Sequence, residues 1–135
     1  MDVTRRSFLK SGALAAAAMT EAHARPADQP LKVGLVGCGG RGTGAAENVL
    51  QCASDVELVA LADLFPERLQ KARKTLSGVD GYKVDDAHCF TGLDAYKKLI
   101  DSGVDYVLLC TPPAFRPAQF EAAVEAGKHL SLIHI

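Results

Sequence analysis

The apolar positions of the chain fall into patterns that alternate along its length. Three continuous apolar runs, typical of strands buried on both faces of a sheet, cover residues 31–37, 56–62 and 104–110. Helices are predicted between and after these runs, at residues 42–51, 66–76, 93–101 and 117–126. Strands that alternate with helices in this way predict an α/β fold, in which a parallel sheet is covered by helices on both faces.

The finer pattern adds boundaries and two shorter strands. Pro66 suits the first position of its helix, and Gly127 suits the C-cap of the last helix. The short strands are predicted at His88–Phe90 and from Lys128 onward. The helix at 93–101 is expected to turn four side chains inward, those of Leu93, Tyr96, Leu99 and Ile100.

Residues 1–24 differ in kind from the rest of the chain. Arg5 and Arg6 precede an apolar run at 12–19, which is followed by Ala22-His23-Ala24. A basic region, a short apolar region and an A-x-A site form an export signal, and the arginine pair predicts the twin-arginine route to the periplasm. An amphipathic first helix is the alternative. The apolar run is shorter than the ~20 residues of a transmembrane helix, so no membrane span is expected. Residues 25–30 are predicted to be a linker.

Composition narrows the classes of partner. The 135 residues carry a formal net charge of −1, contain no Trp and are 6% aromatic. Nucleic-acid binding is not expected, because it uses positive charge and aromatic surfaces. The length admits one domain at most. The cysteines show no metal-ligand spacing, so no metal site is predicted, and they are interpreted as small buried residues. They are Cys38, Cys52, Cys89 and Cys110.

A glycine-rich turn joins the first predicted strand to the first predicted helix. Gly37, Gly39 and Gly42 satisfy the pattern G-x-G-x-x-G. In this pattern the first glycine allows a tight turn, the second lets a pyrophosphate approach the backbone, and the third lets the helix pack against the strand. The helix N-terminus then offers free N–H groups to the phosphates. The turn therefore predicts a dinucleotide-binding site of the Rossmann type, with a plain strand-to-helix turn as the alternative.

An acidic residue and a second loop complete the predicted site. Asp63 follows Gly42 by about 20 residues, the spacing of the carboxylate that binds the adenosine ribose. Because this carboxylate repels a 2′-phosphate, NAD is predicted rather than NADP; a solvated cap before Pro66 is the alternative. Thr111 and Pro112 follow the strand at 104–110 and are expected to meet the nicotinamide half of the cofactor. The alternative is a proline-stiffened loop.

The predicted site contains no catalytic residue. The residues expected to bind the cofactor are Gly37, Cys38, Gly39, Gly40, Arg41, Gly42, Asp63, Thr111 and Pro112. Cys38 is included for its backbone, because no neighbouring His or Lys would activate its thiol. Arg41 faces either the pyrophosphate or solvent. His88, His129 and His134 lack a partner pattern and are interpreted as structural residues.

Segments between residues 31 and 129 are similar to a known family. They read VGLVGCGGRGTGAAENVL, LADLFPER, LDAYKKLI and VDYVLLCTPPAFRPAQFEAAVEAGKH. They resemble the NAD(P)-binding half of the Gfo/Idh/MocA oxidoreductases, the family of glucose–fructose oxidoreductase and inositol dehydrogenase. The resemblance implies a Rossmann-type doubly wound parallel sheet that holds NAD(P). In matching positions, the glycine turn would bind the dinucleotide, Asp63 the ribose, and Thr111 with Pro112 would lie beside the nicotinamide ribose.

The resemblance stops near the last residues. In the family, Gly-Lys-His leads through a hydrophobic strand to Glu-Lys-Pro, whose lysine assists catalysis. Here Gly127-Lys128-His129 is followed by Leu-Ser-Leu-Ile-His-Ile. The fold is therefore expected to be incomplete relative to the family fold, and the chain to be an inactive N-terminal fragment. Residues 130–135 are predicted to be a non-native tail encoded by a sequencing adapter, with a divergent fifth strand as the alternative.

More than one function stays open on the sequence. The resemblance implies the NAD domain of an exported oxidoreductase that transfers a hydride between a sugar- or cyclitol-like alcohol and nicotinamide. Some relatives are instead glycosidases that use bound NAD to oxidise and re-reduce the sugar. A non-catalytic nucleotide-binding module is a third candidate. The twin-arginine export machinery is an expected partner, and a homo-oligomeric parent protein is left open.

Overall fold

The computed structural model describes residues 26 and 28–132. Its strands are β1 (Leu31–Val36), β2 (Val56–Asp63), β3 (Cys89–Thr91), β4 (Tyr106–Leu109) and β5 (His129–Leu132). The helices that alternate with them are α1 (Gly40–Cys52), α2 (Pro66–Leu76), α3 (Ala95–Asp101) and α4 (Arg116–Glu125). Short 3-10 helices at Asp86–His88 and Pro113–Phe115 precede β3 and α4. The predicted signal and residues 133–135 lie outside the described residues.

All five strands are parallel and pair in the order β3-β2-β1-β4-β5. The chain therefore winds outward from β1 in one direction and then in the other, and the predicted doubly wound α/β sheet is confirmed. Val36 pairs with Ala62 of β2 and with Leu109 of β4. This register brings the carboxyl ends of three strands to one edge, at the point where the strand order reverses. Ligands bind at such a point in open α/β sheets.

Two apolar clusters fix the helices on the two faces of the sheet. One cluster joins Leu35 and Leu58 of the sheet to Leu69 of α2, and helix α1 packs on the same face. The other joins Val107 of the sheet to Leu99 of α3, with α4 beside it. Both clusters arise because the strands are apolar on both faces while each helix buries one stripe.

Two predictions about individual side chains are wrong. Leu93 is 69% exposed, because α3 begins only at Ala95 and a turn at Gly92, whose φ is +106°, carries Leu93 outward. Cys52 is also exposed, since it ends α1. Of the other cysteines, Cys38 is buried and the remaining two are partly buried. The helical period was therefore predicted correctly for α3, but its first turn was not.

The last described residues form a strand. His129–Leu132 pairs in parallel with β4, as expected for a strand that starts near Lys128. The adapter origin of residues 130–135 stays a prediction, which the reading frame of the source DNA would test. Among the described residues, no helix has the length and apolar character needed to cross a membrane.

Candidate functional site

A cavity of about 300 Å³ opens at the carboxyl edge of the sheet. The loops that follow β1, β2, β3 and β4 all contribute to its wall. The wall includes Gly37 and Gly39 after β1, Asp63 at the end of β2, and Thr111 with Pro112 after β4. The fold thus brings together the glycine turn, the acid and the second loop, which are remote from each other in sequence.

The three glycines of the turn face different surroundings. Gly37 has a φ of +96°, and a Cβ there would lie 2.8 Å from the carbonyl carbon of Cys110. A Cβ on Gly42 would lie 1.8 Å from the carbonyl oxygen of Gly37, so α1 packs directly against the turn. A Cβ on Gly39 would meet no atom within 4 Å. The first and third glycines are therefore required by the fold, and the second leaves open space at the cavity.

Helix α1 begins next to this space, directly after Gly39 of the cavity wall. Gly39 is the N-cap residue and supplies no side-chain hydrogen bond, and α1 begins at Gly40. The first-turn N–H groups, together with the helix dipole, form a site that favours an anion. The side chain of Arg41 is exposed and lies outside the cavity wall, which fits the solvent-facing alternative.

Asp63 is held against the glycine turn. Asp63 is 8% exposed, and its Oδ2 accepts a hydrogen bond from the backbone N–H of Cys38 at 2.6 Å. Oδ1 accepts from the backbone N–H of Phe65 at 2.8 Å. Asp63 is therefore buried rather than solvated, with one of its bonds at the N-cap of α2, and its role in ribose binding stays a prediction. Each carboxylate oxygen keeps further lone pairs, so a ligand hydroxyl can still bind.

The loop after β4 carries residues that the sequence analysis missed. The hydroxyl of Thr111 donates to Oε1 of Gln119, which lies in α4, lines the cavity and is 7% exposed. Arg116 Nε donates to the carbonyl oxygen of Thr111 at 2.8 Å. Arg116 Nη2 is buried without a hydrogen-bond partner in the described part of the chain, and nothing there explains it. One signal could have revealed Gln119: it is a polar residue one helical turn before the buried Ala123.

The wall near β2 adds an aromatic–cation pair. The guanidinium of Arg68 lies 5.1 Å from the centre of the Phe65 ring, and both side chains line the cavity. Arg68 also borders a second cavity of about 600 Å³ between α1 and α2. Sequence spacing offers no signal for this pair, because neither residue belongs to the glycine pattern or to the acid that follows it.

The thiols near the cavity are protonated at neutral pH. Burial, followed by the nearby Asp63 carboxylate, raises the pKa of Cys38 far above its usual range. Its Sγ donates to the carbonyl oxygen of Ala62 at 3.6 Å. Burial raises the pKa of Cys110 to about 11. Neither thiol is poised as a nucleophile, since the thiolate is the reactive form. Within the described residues, no three His, Cys, Asp or Glu side chains cluster as metal ligands do.

These features define an NAD(P)-binding Rossmann domain. Residues 31–132 match the family described as "Oxidoreductase family, NAD-binding Rossmann fold", and the chain belongs to this Gfo/Idh/MocA family. Residues 2–20 match the signal sequence of the twin-arginine translocation pathway, so the chain carries the address for twin-arginine export to the periplasm. Both predictions are confirmed, although the signal lies outside the described residues.

Known relatives of the domain include glycosidases and dehydrogenases. The chain is 34% identical over 104 residues to glycosyl hydrolase family 109 protein 1 of Bacteroides fragilis, covering 76% of this chain and 22% of the relative. It therefore spans about a fifth of the length of the curated relatives it matches.

Solved structures share the fold and hold either form of the cofactor. Scyllo-inositol dehydrogenase of Lactobacillus casei, solved with NAD(H) and scyllo-inositol, is 28% identical with a TM-score of 0.58, over 77% of this chain and 28% of that chain. Biliverdin reductase of Synechocystis, solved with biliverdin and NADP+, is 26% identical with a TM-score of 0.60, over 79% of this chain and 30% of that chain.

Proposed function

We propose that this domain binds NAD within an exported oxidoreductase that transfers a hydride between a sugar- or cyclitol-like alcohol and the nicotinamide. The observation that carries the choice of NAD is the position of Asp63, whose buried carboxylate lies 2.6 Å from the N–H of Cys38 in the glycine turn. A carboxylate at this point accepts hydrogen bonds from ribose hydroxyls and repels a 2′-phosphate.

Each residue of the turn has a distinct part in holding the cofactor. The open space at Gly39 would admit the pyrophosphate, and the backbone N–H groups of Gly40, Arg41 and Gly42 in the first turn of α1 would donate to it. Cys38 contributes its backbone only. Thr111 and Pro112 line the cavity after β4 and would border the nicotinamide half. When bound, NAD supplies the hydride chemistry, and the protein supplies binding and orientation.

We further propose that this chain alone binds the cofactor without turnover. The residues that handle the proton and hold the alcohol would lie in the part of the relatives' length that this chain does not span. A partial cleft buries less of its ligand, so cofactor affinity is expected to be weaker than in a full-length relative.

The test of the cofactor assignment is a titration of the chain with NAD and NADP by calorimetry. Replacing Asp63 with Asn keeps the size of the side chain but removes its charge. We expect NAD to bind about 10- to 100-fold more weakly, the loss typical of charge-assisted hydrogen bonds, and the preference over NADP to shrink.

The matched control is Asp101→Asn, at the far end of α3 and at the opposite edge of the sheet. This control should bind NAD as the unsubstituted chain does. Because Asp63 also accepts two backbone hydrogen bonds, its substitution can destabilise the fold. Thermal unfolding of each variant measures that loss of stability separately from the loss of NAD affinity. Unchanged affinity for NAD in Asp63→Asn, or no binding of NAD by the unsubstituted chain, would refute the assignment.

A glycosidase is the second candidate, favoured by the 34% identity to a glycosyl hydrolase family 109 protein. Such an enzyme would oxidise the sugar on bound NAD and reduce it again, so NADH would not accumulate. Incubation of the full-length protein with an aryl glycoside, and separately with a cyclitol, distinguishes the two. Release of the aryl group without net NADH supports the glycosidase, and NADH formed in step with an oxidised cyclitol supports the oxidoreductase. A non-catalytic module would do neither.

A further inference from the structure

We propose that Gln119, paired with Thr111, recognises the carboxamide of the nicotinamide and is a specificity-determining residue of this site. The proposal rests on the proposed NAD binding and goes beyond it, because it assigns a ligand group to a residue that lies outside the glycine turn and the acid. Its basis is the hydrogen-bond pattern at the β4 end of the cavity.

The Thr111–Gln119 pair presents one acceptor and one donor to the cavity. Because the Thr111 hydroxyl donates its only proton to Gln119 Oε1, its oxygen can meet a ligand only as an acceptor. The other end of the Gln119 amide is Nε2, which carries two donors. Gln119 is 7% exposed and lines the cavity, so it is buried at the ligand side of α4 and is not a surface residue.

The pair is held in place before a ligand arrives. Arg116 Nε donates to the Thr111 carbonyl at 2.8 Å, which fixes the backbone of Thr111 from the side of α4. Pro112 and Pro113 restrict the backbone that follows. A preorganised donor and acceptor discriminate between ligands better than mobile ones, because little ordering is needed on binding.

The strand order sets which end of the cofactor meets this pair. Asp63 ends β2, on one side of the glycine turn after β1, and Thr111 follows β4, on the other side. A dinucleotide whose adenosine ribose is bound at Asp63 and whose phosphates lie at the turn extends its other half toward β4. That half ends in a carboxamide, which carries an acceptor oxygen and a donor NH2 on the same carbon atom.

The two amide groups are complementary in this arrangement. Gln119 Nε2 would donate to the carboxamide oxygen, and the carboxamide NH2 would donate to Thr111 Oγ1. A carboxylate in the same place would set a second acceptor against the Thr111 oxygen. Two acceptors that face each other without a proton between them would weaken binding, because each would lack a hydrogen-bond donor.

The test compares three ligands on the unsubstituted chain and on Gln119→Met, which keeps the volume of the side chain. The ligands are NAD, deamido-NAD, in which a carboxylate replaces the carboxamide, and ADP-ribose, which lacks the nicotinamide. We expect the unsubstituted chain to bind NAD about tenfold more tightly than deamido-NAD. Gln119→Met should bind NAD about tenfold more weakly and lose this preference, with affinity for ADP-ribose unchanged.

The control variant is Gln70→Met on the exposed side of α2, which should change none of the three affinities. Thr111→Val, which removes the acceptor, is a second variant and should also lose the preference for NAD. Equal binding of NAD and deamido-NAD by the unsubstituted chain overturns the proposal. So does a loss of ADP-ribose affinity in Gln119→Met that matches the loss for NAD. Failure of the unsubstituted chain to bind either NAD or ADP-ribose would instead overturn the proposed function, and this inference with it.

Discussion

Gly39 and Gly42 lie three residues apart, yet the reason for glycine differs between them. A Cβ on Gly42 would collide with the Gly37 carbonyl oxygen at 1.8 Å, so this glycine is needed for the helix to form where it does. A Cβ on Gly39 has no neighbour within 4 Å. We therefore expect glycine at this position because the phosphates of the cofactor approach the backbone from the cavity. Alanine substitutions can therefore distinguish a glycine that the fold needs from a glycine that ligand binding needs.

We expect Gly42→Ala to lower the free energy of unfolding by about 1–3 kcal/mol, as overpacking against a fixed backbone does. Gly39→Ala should change it by only about 0.5 kcal/mol, a value typical of substitutions without contacts. Gly39→Ala should nevertheless weaken NAD binding about tenfold, because its methyl group occupies the approach of the phosphates. Chemical denaturation and NAD titration measure the two effects. Normal NAD binding by Gly39→Ala would contradict the predicted phosphate position.

The cysteines should differ in reactivity according to their burial. Cys52 is exposed, burial raises the pKa of Cys110 to about 11, and Cys38 is buried with a still higher pKa. Only the thiolate reacts with iodoacetamide, and a raised pKa means that it forms only at higher pH. At about pH 8 we expect Cys52 to be alkylated first, Cys110 slowly, and Cys38 only after unfolding. Peptide mass spectrometry over time gives the order, and early labelling of Cys38 would disagree with its burial.

Helix α3 illustrates how far periodicity predicts an element. The spacing of its apolar residues placed Leu99 and Ile100 inward, and both are buried. It also placed Leu93 inward, although Gly92 adopts a φ of +106° and the helix begins two residues after Leu93. Periodicity describes a helix once it has formed, whereas its first residue depends on a turn. Close packing of α3 also needs Gly34 of β1, since a Cβ there would lie 2.6 Å from Leu99 Cδ2.

Two leucine substitutions test this boundary. Leu99→Ala removes a fully buried side chain, and we expect the free energy of unfolding to fall by about 2–5 kcal/mol. Leu93→Ala is the matched control, because the same atoms are removed from a position that is 69% exposed, and its effect should stay within about 0.5 kcal/mol. Denaturant titrations of both variants give the comparison. Equal losses would mean that Leu93 is packed and that α3 starts earlier.

The loop after β4 shows what residue spacing does not predict, namely which side chains of neighbouring elements meet. Thr111 was predicted at the site because it follows a buried strand, but its partners Gln119 and Arg116 were not. Their hydrogen bonds to Thr111 depend on how the loop folds back onto the first turns of α4. No residue pattern encodes that path, because the intervening prolines restrict the backbone without specifying which side chains meet.

At the scale of the whole molecule, an export signal precedes a cofactor-binding domain. The signal matches residues 2–20 and the family match begins at Leu31, so the two parts are separate along the chain. Substitutions in the signal sequence should therefore change export without changing the sheet or the cavity.

Replacing Arg5 and Arg6 with lysines tests this separation. Lysine keeps the positive charge but lacks the planar guanidinium, and we expect the receptor of the twin-arginine pathway to reject it. The double variant should accumulate in the cytoplasm, while Arg25→Lys, outside the signal match, should be exported normally. Immunoblots of periplasmic and cytoplasmic fractions measure the distribution. Equal export of the double variant would show that another route carries the chain.

The sequence by itself determined the features that are local. The sequence predicts the alternation of strands and helices, the glycine turn, Asp63 and the export signal. Each of these depends on residue types at fixed short spacings. The tertiary structure decided the contacts: Asp63 bound to the N–H of Cys38, and Thr111 bound to Gln119 and Arg116. These contacts join separate elements, and their geometry depends on strand order, register and loop path. Such properties arise from packing of the whole sheet and are absent from any short stretch of sequence.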